Sequence, residues 1–452
     1  DSSLRLVGSE MCIRDRFFAS RSEELYERAK TVLPGGVSRN TVLRSPYPLY
    51  VDRAEGCHVT DIEGVTRIDF ANNMASLIHG HSHPVVNKAV IAQLQRGTAF
   101  SIASEVEIIY AEHLCSRNDH FEKLRFVNSG TEAVMAALKA ARAYTGRAKI
   151  AKVEGAYHGG YDYAEVSQTS TPSNWGKDDN PASVPVAHGT PAKALEDVVV
   201  IPFNDPDKAK SILDRHGHDI ACVLLDVLPH RVGLAPATPT FVEMLREWTV
   251  QNEALLILDE VITFRSRYGG AQEWYNLEAD ITAMGKIIGG GFPVGALAGR
   301  NDIMDVMNPL ESNLRFPHSG TFSANPVTMT AGLAAMQLFD RPAVERLNEL
   351  SARARSGIEE VIRATGARAC VTGGGSMLRL HMKPKLPNNY REAFSTPEEK
   401  WRLSFMLDHL SDSGFITINP CAFTMSTAMG ESEIDSLVDA VEIGFRRLAA
   451  DR

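Results

Sequence analysis

The sequence predicts an α/β protein: a large domain with a mostly parallel central sheet sandwiched by helices, plus a smaller α+β domain built from both termini. Three observations predict it. Strand-like and helix-like segments alternate from about residue 84 to 335, the rhythm of βαβ units. Short unbroken apolar runs, ACVLLDVL at 221–228 and ALLIL at 254–258, read as strands buried on both faces. After Val344 the rhythm changes to a long helix reaching about Thr365, then isolated strands and a last helix. The expected divisions are an extension at 1–16, the N-terminal part of the small domain at 17–83, the large domain at 84–335 and the C-terminal part of the small domain at 336–452.

A chain of 452 residues suits one large domain and one smaller. A net charge of −9 points away from nucleic acid and from anionic membranes, and no apolar run is long enough to span a bilayer. The cysteines Cys12, Cys57, Cys115, Cys222, Cys370 and Cys421 are scattered without metal-ligand spacing. Reduced thiols in a cytoplasmic protein, with no metal, are the expectation. The opening DSSLRLVGSEMCIRDR resembles a translated sequencing adapter and lacks the apolar core of a secretory signal, so it is set apart from the fold.

Taken in order, 20–32 has helical spacing and is stopped by LPGG at 33–36. VSRNTVLRSPYPLYV is extended and carries Arg39 and Arg44; an arginine here can clamp a carboxylate. CHVTDIEGVTRIDFANN is a hairpin turning at 61–64. His79, His81 and His83 alternate in HGHSHP, but no acidic or cysteine ligand accompanies them, so turn and capping roles are expected. Pro84 opens a helix. Residues 121–128 form a strand, and SGTEAVMAALKAARAYTG a helix whose apolar stripe is Val134, Ala137, Leu138, Ala141 and Tyr144. Its N-terminus, Ser129-Gly130-Thr131, is either an ordinary cap or a phosphate site made by free N–H groups and the helix dipole. The strand 149–153 runs into EGAYHGGYD, whose Tyr157 and His158 can lie against a planar ring or pack in the core. Residues 167–200 are polar and read as one long loop, a candidate lid. A helix follows at 241–248. A Gly/Ser/Thr/Asn loop around Thr321 precedes a further helix and is a second anion-site candidate. PKLPNNYREAFSTPEEK reads as a surface loop, and 431–449 as the last helix.

The chemistry centres on 256–291. The apolar run ends in Asp259 and Glu260, and Lys286 follows in MGKIIGGG. Ligands of open α/β sheets sit at the carboxyl ends of strands, where Asp259 stands. A lysine among glycines and apolar residues is partly desolvated, which lowers its pKa and favours amine chemistry. A Schiff-base lysine with an acidic partner for a pyridinium nitrogen is the arrangement pyridoxal 5'-phosphate (PLP) requires.

LPGG, GHSHP, NSGTEAVMAALKAARAYTGR, YHGGYD, LDEVITFR, GKIIGGGFPVGALAGR and HSGTFSANPVTMTAG extend the pattern from about Leu33 to the last helix. On these motifs the chain resembles class III aminotransferases of PLP fold type I, in the branch of glutamate-1-semialdehyde aminomutases and β-amino-acid aminotransferases. The resemblance implies that Lys286 carries the cofactor and shuttles the proton, and that Asp259 pairs with the pyridine nitrogen. It implies that Ser129, Gly130 and Thr131 hold the phosphate, that Tyr157 and Val261 cover opposite ring faces, and that His158 lies beside the ring. Thr321 would complete the phosphate site of the neighbouring subunit in a homodimer. Arg39 matches the carboxylate-binding arginine of the β-amino-acid enzymes. The implied partners are small amines and oxo acids.

Three departures stand out. Asp226-Val227 replaces the Glu-Pro of many members. Cys421 stands at or near the place of the second, acceptor-binding arginine. PGGVSRNTV lacks the Asn-Ser-Pro-Val run of the aminomutases. The expected activity is transfer of an amino group from a carboxylate-bearing amine to an oxo acceptor. The alternative is intramolecular amino transfer. A PLP-sensing regulator is a third reading, for which this acidic chain offers no basic helix-turn-helix.

Overall fold

The computed structural model describes residues 20–450, so the adapter-like segment 1–16 lies outside the described residues. Strands β1 (Val51–Glu55), β2 (His58–Asp61) and β3 (Thr66–Asp69) form an antiparallel meander. The β2–β3 turn falls where expected, because Asp61 Oδ1 accepts the N–H groups of Glu63 and Val65 while Oδ2 takes Arg67 Nη1 at 2.6 Å.

The large sheet is built from β4 (Lys123–Val127), β5 (Lys149–Val153), β8 (Val198–Ile201), β9 (Ile220–Leu225), β10 (Leu255–Asp259), β11 (Ile281–Gly285) and β12 (Gly295–Gly299). Between β5 and β8 lies a minor pair, β6 (Gly176–Lys177) with β7 (Asn180–Pro181). The seven-stranded order is β4-β12-β11-β10-β9-β5-β8. Strand β12 runs antiparallel to both of its neighbours, and every other pairing is parallel.

Side-chain alternation explains why β10 reads as an unbroken apolar run. Leu256 and Leu258 join one core with Phe241, Leu245 and Trp248 of the helix Pro239–Gln251. Leu255 and Ile257 join the other, with Val134, Ala137 and Leu138 of the helix Gly130–Thr145. The same alternation turns Asp259, at the end of β10, toward the face of the Gly130–Thr145 helix.

The C-terminal region adds β13 (Cys370–Gly374), β14 (Met377–His381), β15 (Phe415–Ile416) and β16 (Ala422–Thr424). Strand β14 pairs antiparallel with β13 and β16. Strand β15 pairs parallel with β3, so both ends of the chain share one small sheet. The helix Arg341–Thr365, capped by Asp340 and ended by left-handed Gly366, packs with the final helix Glu431–Ala450 through Leu347, Ile358, Leu437 and Val441.

Three expectations need correction. Residues 167–200 are not one loop: they hold the β6–β7 pair and the helix Ala192–Glu196, and Val198 already begins the sheet's edge strand. The apolar VVVI run is only four residues long and follows polar sequence, which hid it.

The polar 384–400 segment is not a free surface loop. Tyr390 is buried and donates its hydroxyl to the Ser170 carbonyl at 2.7 Å. Arg391 pairs bidentately with Glu154 at 2.8 and 3.0 Å.

The HGHSHP histidines are tertiary ties rather than local caps. His79 is buried, with Nε2 at 2.8 Å from the Ala335 carbonyl and Nδ1 at 2.8 Å from Thr427 Oγ1. His81 pairs with Asp69 at 2.8 Å, and the His83 side chain makes no cap to the helix Pro84–Arg96 that it precedes. No described helix is long and apolar enough to cross a membrane.

Candidate active site

Strands β10 and β11 are parallel neighbours with Asp259 opposite Ala283, so the carboxylate of one and the lysine just past the other emerge at the same sheet edge. Lys286 follows extended Gly285 and has φ of 49°, a left-handed conformation costly for a side-chain-bearing residue. Its tight bend turns the chain from strand into a short helical turn. Burial pushes the Lys286 ammonium below the usual lysine range, against the opposing pull of Asp259 and then Asp226.

Asp259 is buried and has two donors. His158 Nδ1–H donates to Oδ2 at 2.7 Å and Val261 N–H to Oδ1 at 3.0 Å. His158 is fully buried, and burial lowers its pKa despite Asp259. The imidazole is therefore neutral. With Nδ1 donating to Asp259, its Nε2 is a lone-pair acceptor that has no partner.

Asp226, one strand further at the end of β9, is pushed well above the usual carboxylate range by burial and then by Asp259. Glu260 points the other way and is raised to about 8 by burial, although the Ala271 and Gln272 N–H groups bind it.

The helix Gly130–Thr145 begins at this edge. Ser129 Oγ accepts Glu132 N–H at 3.1 Å and Glu132 Oε2 accepts Asn128 N–H at 2.7 Å, so the ordinary cap is present. It leaves the N–H groups of Gly130 and Thr131 without an acceptor among the described residues, at the positive end of the dipole.

Glycines make the close approaches possible. A Cβ on Gly130 would lie 2.7 Å from Val261 Cγ1, and one on Gly159 would lie 2.4 Å from Thr131 Oγ1. Val261 thus seats the end of β10 against the helix start and against Gly285, and the His158–Gly159 turn packs on Thr131.

The structure therefore gathers Lys286, Asp259, His158, Val261, Gly130, Thr131 and Ser129. Tyr157 sits on the same turn as His158 and is 52% exposed. Two predicted residues stand apart. Thr321 is exposed in the loop before the helix Pro326–Leu338, although its neighbour Gly320 lies against Asn128. Arg39 is exposed and donates to Asn73 Oδ1 at 2.8 Å. Asn73 belongs to the run Asn72–Ala75, in which every φ lies between 45° and 68°. That left-handed turn is held by Asp69 Oδ1, by Asn72 Nδ2 on Thr424, and by Arg265 on the Ala75 carbonyl.

Sequence reasoning missed Lys152. It is wholly buried in β5, and its ammonium donates to the carbonyls of Val166 (2.6 Å), Ala156 (3.1 Å) and Val153 (3.4 Å). It ties down the turn that carries Tyr157 and His158. The available signal was a lysine inside an otherwise apolar strand, IAKV.

A buried amine, a carboxylate beside it, an orphaned imidazole nitrogen and two unclaimed helix N–H groups fit a ring with a basic nitrogen, an aldehyde and a phosphate. The aminotransferase class-III family description matches residues 41–435. The chain belongs to the class-III aminotransferase family. It is a PLP-dependent enzyme of fold type I.

A curated relative, the glutamate-1-semialdehyde 2,1-aminomutase of Methanothrix thermoacetophila, is 37% identical over 95% of this chain and 97% of its own. Among solved structures, an omega-transaminase from Sphaerobacter thermophilus is 45% identical with a TM-score of 0.92, covering 95% of this aminotransferase and 98% of that chain. A transaminase with PLP bound is 40% identical with a TM-score of 0.88, covering 96% and 99%. A β-phenylalanine aminotransferase from Variovorax paradoxus is 31% identical with a TM-score of 0.83, covering 95% and 94%.

Proposed function

We propose that this aminotransferase moves an amino group from a carboxylate-bearing amine, a β-amino acid among them, to an oxo acid, with Lys286 as the reacting amine. The observation that carries the proposal is the desolvated Lys286 beside Asp259 at one edge of the sheet.

Bound PLP supplies an electron sink for the substrate carbon that bears nitrogen. Lys286 would hold the cofactor covalently, and its Nζ would take and return the proton at the substrate carbon. Desolvation suits it to this work, since a base is most effective when its pKa lies near the working pH. Asp259, oriented by the two donors on its oxygens, would hold the proton on the pyridine nitrogen. His158 packs beside it and excludes water. The free N–H groups of Gly130 and Thr131, with the hydroxyls of Ser129 and Thr131, bind the phosphate. Val261 and Tyr157 would flank the ring. Arg39 binds the donor carboxylate. Thr321, exposed in one chain, completes the phosphate site of a second copy, so the working unit is a homodimer.

The test is a donor half-reaction. PLP-loaded protein, freed of excess cofactor, is mixed with single amines without acceptor while its visible band is followed. Bleaching by β-phenylalanine and not by an amine lacking a carboxylate is expected. No response to any amino acid would sink the assignment. The curated relative supports a second reading, intramolecular transfer within a diamino or amino-aldehyde acid. Turnover of such a substrate with no added oxo acid, and a response to diaminovalerate alone, would put that reading first.

A further inference from the structure

Lys152 has no part in the chemistry derived so far, yet its place in the sheet ties it to the site. In the ladders of the large sheet Lys152 pairs with Leu224 of β9, and Leu224 pairs with Ile257 of β10. Ile150, Leu224 and Ile257 all belong to the core on the side of the helix Gly130–Thr145, so strand alternation puts Lys152 and Asp259 on that same face. Lys152 therefore lies two strands, about 10 Å, across from Ile257 and one pleat below the edge where Asp259 emerges.

Its ammonium turns up toward that edge and gathers backbone. Val153 and Ala156 open the stretch 153–166, Val166 closes it, and Nζ donates to the carbonyls of all three. Ala156 and Val166 are buried, and among the described residues no other donor reaches their carbonyls. A buried carbonyl left without a donor is costly. Serving three carbonyls takes the three hydrogens of an ammonium. Lys152 thus joins the two ends of the stretch that carries Tyr157 and His158.

That stretch has little room to move. Gly155, with φ of 77°, lies against the Tyr390 ring, and Gly159, with φ of 92°, lies against Thr131. Between them His158 donates to Asp259 at 2.7 Å. Burial keeps the His158 imidazole neutral, and the Lys152 charge works in the same sense, against the pull of Asp259. The clamp under the turn therefore bears on both the position and the protonation of the donor that orients Asp259.

We propose that Lys152 is a positioning residue for the reaction: its ammonium fixes the His158 turn and, through it, the carboxylate that meets the cofactor ring. This inference rests on the aminotransferase reading, with PLP at Asp259.

The experiment follows the visible band of the PLP-loaded enzyme against pH, since its midpoint reports the charge set against the ring. His158→Phe removes the donor to Asp259 and sets the scale. Lys152→Met should move the midpoint in the same direction as His158→Phe, by at least about half a pH unit. Added to His158→Phe, it should produce less than about half of its own separate shift, because both changes act on one contact. Arg402→Met cuts a buried clamp on the carbonyls of Arg368 and Met382, so it should lower the melting temperature and leave the midpoint in place.

The proposal is overturned if Lys152→Met or His158→Phe keeps the wild-type midpoint, if their shifts add in full, or if Arg402→Met shifts the midpoint as much. Lys152→Gln keeps two of the three hydrogens and should give a smaller shift in the same direction. It carries the test if the methionine variant does not fold, and a wild-type midpoint in it would overturn the proposal equally. A wild-type protein that forms no visible band with PLP would discard the cofactor reading itself. A normal wild-type band with unmoved Lys152 variants would discard Lys152 alone.

Discussion

The proposed cofactor side and the proposed substrate side are built by different means. On the cofactor side, Asp259 and Lys286 stand at the ends of adjacent parallel strands, and the helix that starts at Gly130 lies over them. Each part follows from a strand end or a helix start, and the ladder sets their spacing. On the proposed substrate side, Arg39 leans on Asn73 in a left-handed turn, and that turn is pinned by Thr424 and Arg265, 352 and 190 positions away in sequence. One side reuses the regular geometry of the fold; the other is assembled across it. Chemistry common to many enzymes can sit on the first, and substrate choice on the second.

The sharpest way to break that contrast is Lys286→Ala, expected to abolish transamination for every donor. Residual turnover above about a ten-thousandth of wild type in a stopped assay would remove Lys286 from its role. Next comes Asp259→Asn, expected to lower kcat about 100- to 1000-fold for all donors alike, because it removes fixed charge at the reacting ring. A loss confined to one donor class would assign Asp259 to the substrate side instead. Arg39→Met should lower kcat/KM about a hundredfold for β-phenylalanine and far less for a plain amine. Equal losses for both would make Arg39 structural. Asn73→Ala, which frees Arg39 from its tether, should reproduce that selectivity at about fivefold, the worth of one exposed hydrogen bond.

The smallest expected effect is one of stability. Burial lowers Lys152 to about 7, whereas an unfolded lysine titrates near 10.4. Between those values the unfolded chain binds more protons, so this group makes stability rise with pH from about 7 to 10 and contributes no slope below 7. Lys152→Met removes the group. The gap in melting temperature between wild type and variant should therefore widen in favour of wild type from pH 7 to 9.5. A constant gap would mean that Lys152 titrates normally.

Much of the framework was legible from local pattern. Unbroken apolar runs marked β9 and β10 because both their faces are buried, and a three-and-four spacing marked the helix Gly130–Thr145. The same logic placed Asp259 at the carboxyl edge of the sheet, since a carboxylate that ends an apolar strand has only that side to occupy, while Lys286 was read from its glycine-rich apolar setting. Where a residue's partners lie far away in sequence, local pattern was silent or misleading. Arg391 looked like part of a solvated loop, yet it forks onto Glu154, 237 positions away. The alternating histidines looked like turn residues, yet His79 bridges Ala335 and Thr427.

Hydrophobic periodicity and strand-end chemistry are properties of a few consecutive residues, so the sequence by itself determined the class of fold, the order of its layers and the edge where chemistry gathers. A buried nitrogen without a partner, as at His158 Nε2, depends on what several distant segments bring to one point. Only the tertiary structure could decide it, because a desolvated charge is defined by its surroundings and not by its neighbours along the chain.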